Sequence, residues 1–129
     1  MQLLDPMIPS IDQARAPLLL VRFPSEITAE EAETHFREIA DIAAKGRIAV
    51  VVDLTNVRFF SGSERKLGAR AMRDCYERAR GNIGGVAHVI QSRGIRAMMI
   101  AIHWLSPPPF PCFVTNDEAK AFAWARAQL

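Results

Sequence analysis

The sequence predicts one α/β domain, in which a mixed, mostly parallel sheet is packed with helices in the order β-β-α-β-α-β-α-β-α. Short runs rich in valine, isoleucine and leucine alternate with segments whose apolar residues recur every three or four positions. Strands that alternate with helices give this pattern. The 129 residues contain no internal repeat, low-complexity segment or linker. We therefore expect residues 1–129 to form a single domain with one core.

Two short strands are predicted to open the chain. Residues 18–23 form an apolar run that Pro24 closes, and a weaker run at residues 2–8 is confined to a sheet edge by Pro6 and Pro9. The connection between the two runs is too short for a crossover helix, so we expect them to pair antiparallel.

A helix and a central strand follow. Thr28 and Glu31 have the spacing of a capping box, and Gly46 supplies a stop signal. Residues 48–52 are a continuous, mostly β-branched run, typical of a strand that is buried on both faces of a parallel sheet. The apolar residues at helical spacing before it are Ala32, Phe36, Ile39 and Ala43.

Two further helices flank a strand predicted at residues 84–90. The helix before this strand is ended by Gly81, and the helix after it is capped by Ser92, runs through Leu105 and is stopped by the prolines at residues 107–109. The buried side of the first is predicted to carry Leu67, Ala71, Cys75 and Ala79, and the inward residues of the second are predicted to be Ile95, Met98, Met99 and Ile102.

The chain closes with a strand at residues 110–114 and a terminal helix. Thr115 and Glu118 repeat the capping-box spacing. The residues expected to carry the helix that follows are Ala119, Phe122, Ala123 and Arg126.

Composition limits the possible functions. An apolar fraction of 50% and a charged fraction of 23% fit a folded soluble domain, and a net charge of +2 is too small to indicate nucleic-acid binding. Cys75 and Cys112 lie far apart in the sequence and are expected to be reduced thiols. We find no secretory signal and no apolar run near the ~18 residues of a membrane span, and we expect a cytoplasmic protein.

The motifs of enzymes and metal sites are missing from the sequence. His35, His88 and His103 lie on separate predicted elements, without a partner at metal-ligand spacing. Neither a G-x-S-x-G elbow nor a P-loop occurs. The sequence therefore predicts a protein that is not an enzyme and that holds no metal or cofactor.

The loop that leaves the central strand, D-L-T-N-V-R-F-F-S-G-S-E-R at residues 53–65, has two interpretations. Asp53 lies where α/β proteins often place ligand-binding residues, but an acid there more often accepts a bond from the following turn. Ser61 and Glu64 have capping-box spacing, whereas Ser63 would lie in the first helical turn, where the dipole favours a phosphate. Asp53 and Ser61 thus either cap the turn and the helix or form a regulatory site with Ser63.

The element order, together with D-L-T-x-V-x-F-F-S-G-S, resembles the STAS family, which includes anti-sigma-factor antagonists and the cytoplasmic domains of sulfate transporters. The family pattern at this place is Asp-Leu-Ser/Thr, a spaced Val, an aromatic-aliphatic pair and Asp-Ser-Ser-Gly. The ending F-V-T-N-D-E-A-K-A-F-A-W-A is similar to a STAS-like branch grouped with lipid-binding folds. The resemblance implies a signalling module that acts through protein contacts.

One position departs from the phospho-regulated members of that family. Their acid falls on Ser61 of this chain, their phosphate-accepting serine on Gly62 and their second serine on Ser63. Gly62 has no hydroxyl, so the resemblance does not carry the kinase-regulated role to this chain. Ser63 is left as the better candidate for modification.

Two surfaces are predicted to bind partners. The second helix has a mostly basic face, which is either simply solvated or docks an acidic partner or anionic lipid. The third helix is apolar nearly all round, so a second subunit, the proline-rich loop or a lipid-like ligand must cover part of it. We favour a homodimer over the lipid. The predicted interaction residues are Lys66, Arg70, Arg73, Met99, Ile100 and Trp104.

Overall fold

The elements follow the predicted order. The computed structural model describes residues 10–26, 28–57, 62–79, 81–105 and 107–129. Its strands are β1 (Ser10–Arg15), β2 (Leu18–Arg22), β3 (Ile48–Asp53), β4 (Ile83–Val89) and β5 (Cys112–Thr115). Its helices are α1 (Ala29–Ala43), α2 (Gly62–Arg78), α3 (Arg93–Leu105) and α4 (Glu118–Ala127). The predicted α/β class is confirmed.

The described strands form one sheet in the order β1-β2-β3-β4-β5. β1 and β2 are antiparallel and the other neighbours are parallel, as expected. Parallel strands present their carboxyl ends at the same edge, so Arg22 of β2 lies beside Asp53 of β3, and Asp53 lies beside Val89 of β4. This edge positions the polar part of the candidate site.

Helices on both faces bury the central strands. Every residue of β3 and β4 is buried, which explains why their sequences are nearly continuous apolar runs. Towards α1 and α2, Val50 and Val86 belong to the larger apolar cluster. Towards α4, Val51 and Ala87 pack in a smaller cluster that includes Ala121.

The start of α1 is built as the sequence predicts, but its end differs. Thr28 Oγ1 accepts from the Glu31 N–H at 3.1 Å, and Glu31 Oε1 accepts from the Thr28 N–H at 3.0 Å. The capping box is therefore confirmed. The cap at the other end is Ala44, so Gly46 is not the residue that stops the helix. Gly81, in contrast, has a φ of 84° just after α2, as expected of a glycine that follows a helix.

Two terminal predictions need correction. The strand predicted at residues 2–8 lies outside the described residues, and β2 instead pairs with β1, whose mostly exposed side chains leave no apolar run in the sequence. The second capping box is wrong, because Thr115 remains in β5, paired with Val89. α4 is capped by Asp117, whose Oδ1 accepts from the Lys120 N–H at 3.2 Å.

α3 is the least buried helix of the described fold. Ser92 Oγ accepts from the Ile95 N–H at 3.2 Å, which confirms the predicted cap, and the helix ends at Leu105 before the prolines. None of its residues is buried. Ile102, predicted to face inward, is 38% exposed. No helix in the described part of the chain is long and apolar enough to cross a bilayer.

Candidate functional site

Asp53 lies at the carboxyl edge of the sheet and is held by two neighbours. Its Oδ1 accepts from the Thr55 N–H at 2.9 Å, so the turn-capping interpretation is confirmed. Its Oδ2 lies 3.2 Å from Arg22 Nη1. Arg22 also reaches Glu118 at the start of α4, with 3.5 Å between Nη2 and Oε1. Asp53 thus joins the loop after β3 to β2 and, through Arg22, to α4.

Replacement of Asp53 by Ala is expected to destabilise the fold by about 1–3 kcal/mol, because the Thr55 N–H and the Arg22 guanidinium both lose the buried Asp53 carboxylate as a partner. Asp12 is the matched control. Its Oδ1 accepts a similar bond from the Ala14 N–H at 2.8 Å, but at an exposed place in β1 where water can replace it. Urea denaturation of both variants tests this, and equal losses would contradict the structural role of Asp53.

A groove lies next to this ion pair, between the β1–β2 hairpin and α4. Its volume is about 390 Å³, and Leu18 and Leu20 form its floor. The Arg15 guanidinium lies 4.7 Å from the centre of the Phe122 ring, a cation–π contact that closes one side. The groove is therefore apolar at its base and charged at its rim.

The serines of the predicted regulatory loop lie at the edge of the described residues. Ser61 lies outside the described residues. α2 begins at Gly62, so the backbone of Ser63 is in the first helical turn, as predicted, but its side chain is not among those described. The capping role of Ser61 and the modification of Ser63 remain predictions.

The predicted basic face of α2 is at the surface. Lys66, Arg70 and Arg73 are exposed, and within the described residues no carboxylate lies within ion-pair distance of any of them. Asp74 and Glu77 are exposed on the same helix. The face therefore carries charges of both signs, and it offers less purely positive potential than the three basic residues alone indicate.

α3 turns one side to the sheet. Ile95 and Met99 pack against the larger apolar cluster, and Arg96 Nη1 donates to the Ile90 carbonyl at 3.2 Å. Met99 was predicted both to face inward and to take part in an interaction surface; its packing against the cluster agrees with the inward prediction, and its part in an interaction stays a prediction. Met99 follows Ile95 by four positions, so both side chains lie on the same inward face of the helix.

The other side of α3 is an apolar surface. Trp104 is 82% exposed, Leu105 87% and Ile100 44%. Ala97 and Ala101 are also exposed and lie on the same side as Ile100 and Trp104 at helical spacing. We call Ala97, Ile100, Ala101 and Trp104 the α3 stripe. Its exposure agrees with the prediction that one core-facing side cannot hide the apolar residues of this helix.

Sequence reasoning missed the contact between two histidines. His88 of β4 and His103 of α3 have ring centres 5.3 Å apart. Burial, together with His103, lowers the pKa of His88 to about 3, and burial also lowers the pKa of His103. His88 Nδ1 is buried without a hydrogen-bond partner. No spacing rule could have joined these residues, because only the packing of α3 on the sheet brings them together.

Burial also suppresses the reactivity of the other titratable candidates. His35 packs edge-on against Phe23, and burial lowers its pKa to about 4. Burial raises the pKa of Cys75 to about 11 and that of Cys112 to about 12, so both thiols are poor nucleophiles at neutral pH. Within the described residues no three His, Cys, Asp or Glu side chains are placed to hold a metal ion.

Comparison with known proteins agrees with this fold. A sequence model described as SpoIIAA-like matches residues 18–126 of the chain. The crystal structure of an uncharacterized protein with a SpoIIAA-like fold from Shewanella loihica PV-4 aligns with a TM-score of 0.68. The alignment covers 97% of this chain and 98% of that chain at 16% identity, a level at which the likeness concerns the fold alone. No curated protein matches the chain significantly.

Proposed function

The chain belongs to the SpoIIAA-like family, and from this premise we propose that it is a non-enzymatic interaction module in cytoplasmic signalling. Its docking surface in this proposal is the α3 stripe, and its partners are proteins. The resemblance of the loop after β3 to STAS domains supports this class of function. A homodimer, in which the protein partner is a second copy of the chain, is one form that such an interaction can take.

The exposure of α3 is the observation that carries the proposal. Trp104 turns 82% of its surface to solvent, although an indole of this size is buried to a large extent on average in folded proteins. Ile100 and Leu105 add to the same region. A contiguous apolar surface of this kind is typical of a protein or membrane interaction site.

The non-enzymatic part of the proposal rests on the state of the polar groups. The Asp53 carboxylate accepts a hydrogen bond from the Thr55 N–H and forms an ion pair with Arg22. Cys75 and Cys112 are held as thiols, and His88 is held neutral, by burial. None of these groups combines the access and the pKa that a general base or a nucleophile needs.

A membrane-associating or apolar-ligand carrier is the second candidate, because the same apolar surface can contact acyl chains. The described grooves favour the first proposal. The groove beside Phe122 and a second one of about 290 Å³ between α1 and α2, lined by Cys75, are not formed by α3 residues. The α3 stripe is the outer side of a helix, a shape that docks against a surface more readily than it encloses a small molecule.

The proposal includes a prediction about phosphorylation of the loop after β3. Gly62 occupies the position of the phosphate-accepting serine, so we expect no stoichiometric phosphorylation of this loop in the chain isolated from its native cell. Intact-mass measurement checks this. A phosphate on Ser63 or Ser61 would mean that the departure at Gly62 does not remove phospho-regulation.

Native mass spectrometry of the purified chain tests the proposed function. We expect masses that correspond to complexes made of protein chains alone, with no retained small molecule. A monomer that carries an apolar ligand would contradict the proposal and favour the carrier. Unfolding the sample in acid and repeating the measurement separates a bound ligand from a covalent modification, because only the ligand is lost.

A further inference from the structure

The α3 stripe alternates small and large side chains. Along the helix it contains Ala97, then Ile100 and Ala101, then Trp104, and all four residues are exposed. Arg93 is exposed one turn before Ala97 and continues the same line. The opposite side of the helix is held on the sheet by Ile95, Met99 and the Arg96–Ile90 hydrogen bond, so the stripe points away from its own subunit.

Resting on the proposed function, we propose that the partner of this stripe is a second copy of the chain, bound with its α3 antiparallel about a two-fold axis between Ile100 and Ala101. In this register the large Trp104 of each copy meets the small Ala97 of the other. Near the axis, Ile100 of each copy lies beside Ile100 of the other, and Ala101 lies beside Ala101. The stripe is thus self-complementary in shape, which an isologous interface requires.

The charges of α3 favour the same orientation. The helix carries Arg93 and Arg96 near its N-terminus and no acidic residue. An antiparallel pair brings each exposed Arg93 towards the carboxyl end of the partner helix, where the helix dipole is negative and where the partner's Trp104 offers an aromatic face. A parallel pair would instead place Arg93 against Arg93 and Trp104 against Trp104, with a gap at Ala97.

The available area is enough for a dimer of modest affinity. A specific interface buries at least ~1,000 Å² in total, or about 500 Å² from each copy. Trp104, at 82% exposed, contributes roughly 200 Å² of this. Ile100, on the same side of the helix, and the neighbouring Leu105 are themselves exposed. A hydrophobic anchor near the centre of a patch is where binding energy is usually concentrated.

Cysteine cross-linking of the full chain tests the antiparallel register. Two helices with alanine at the contact approach to about 8 Å between axes. The two copies of position 101 then lie within disulfide reach, because they are offset by about one residue along the axes. The two copies of position 97 are about 10 Å apart along the axes and cannot form a disulfide. Ala101→Cys and Ala97→Cys are matched variants, since both positions are exposed.

Under mild oxidation we expect the Ala101→Cys chain to convert mostly to a disulfide-linked dimer, and the Ala97→Cys chain to remain unlinked. The wild-type chain is the control for Cys75 and Cys112, which are buried and half-buried, and it should not cross-link. Circular dichroism verifies that both variants fold.

The outcomes separate this inference from the proposed function. Cross-linking of both variants, or of Ala97→Cys alone, overturns the antiparallel register but leaves α3 as the docking surface. Cross-linking of neither variant, with a wild-type chain that sediments as a monomer, overturns the second copy as the partner. The proposed function itself then depends on the native mass measurement, in which a retained apolar ligand would contradict it.

Discussion

Mild acid is expected to destabilise the protein strongly, by about 3 kcal/mol between pH 6.5 and pH 5. His35 and His88 each have an ordinary pKa of 6.5, lowered by burial to about 4 and about 3 in the folded chain. In this pH range the unfolded chain binds a proton at each imidazole and the folded chain does not. The free energy of unfolding therefore falls as the pH falls, with a slope for each histidine that grows from ~0.7 kcal/mol per pH unit at pH 6.5 to ~1.4 kcal/mol per pH unit near pH 5.

Urea denaturation at several pH values measures this effect above the range in which ordinary carboxyl groups titrate. His35→Phe is the informative variant. Its ring can occupy the place between Phe23 and Phe36 and has no Nε2, an atom that His35 buries without a partner. The variant should lose about half of the pH dependence. An unchanged slope in this variant would show that other groups cause the acid sensitivity.

Replacement of Gly84 by Ala is expected to destabilise the fold by about 2–3 kcal/mol, the upper part of the range for overpacking. A Cβ on Gly84 would lie 2.6 Å from the backbone oxygen of Gln128, just beyond α4. At Gly85 it would lie 2.9 Å from Trp124. These two glycines let the end of α4 lie directly against β4. A side chain at position 84 would displace the backbone at Gln128.

Gly46 is the matched control for this substitution. A Cβ there would have no atom within 4 Å, and its φ is not in the left-handed region. Gly46→Ala should therefore be neutral or stabilising by up to ~1 kcal/mol, because it restricts the unfolded chain. Thermal denaturation of the two variants side by side checks the contrast. Similar stabilities would mean that α4 does not pack closely on β4.

The predictability of the fold follows the strength of local signals. β3 was predicted from an uninterrupted apolar run, and α1 from a capping box with apolar residues at helical spacing. β1 was missed because an exposed edge strand needs little apolar sequence, and S-I-D-Q-A-R contains only Ile11 as a large apolar residue. The cap of α4 was misplaced because pairing of Thr115 with β4 competes with its use as a cap.

The site was less predictable because it depends on long-range contacts. The turn-capping role of Asp53 follows from local chemistry, but its partner Arg22 is 31 positions away and is brought near by strand register. The contact between His88 and His103 likewise needs the packing of α3. The excess apolar surface of α3 could be predicted from the composition of the helix, which has more apolar residues than one core-facing side can bury. Its inward side was less predictable, because Ile102, which the spacing places inward, is 38% exposed.

Sedimentation equilibrium of the wild-type chain and of an Ile100→Gln, Trp104→Gln double variant tests α3 as an interaction surface most directly. Burial of each large apolar side chain contributes ~1.5–3 kcal/mol, so the double variant should dimerise at least about 100-fold more weakly. It should stay folded, because these side chains are 44% and 82% exposed within one subunit. Lys66→Gln with Arg70→Gln, both exposed on α2, is the control and should leave the dimer unchanged.

We expect a wild-type dimer at micromolar concentration, a folded monomer for the α3 variant and a dimer for the α2 control. A wild-type chain that is monomeric at every concentration would contradict the account. So would an α3 variant that still forms the dimer, or one whose circular dichroism shows that it no longer folds.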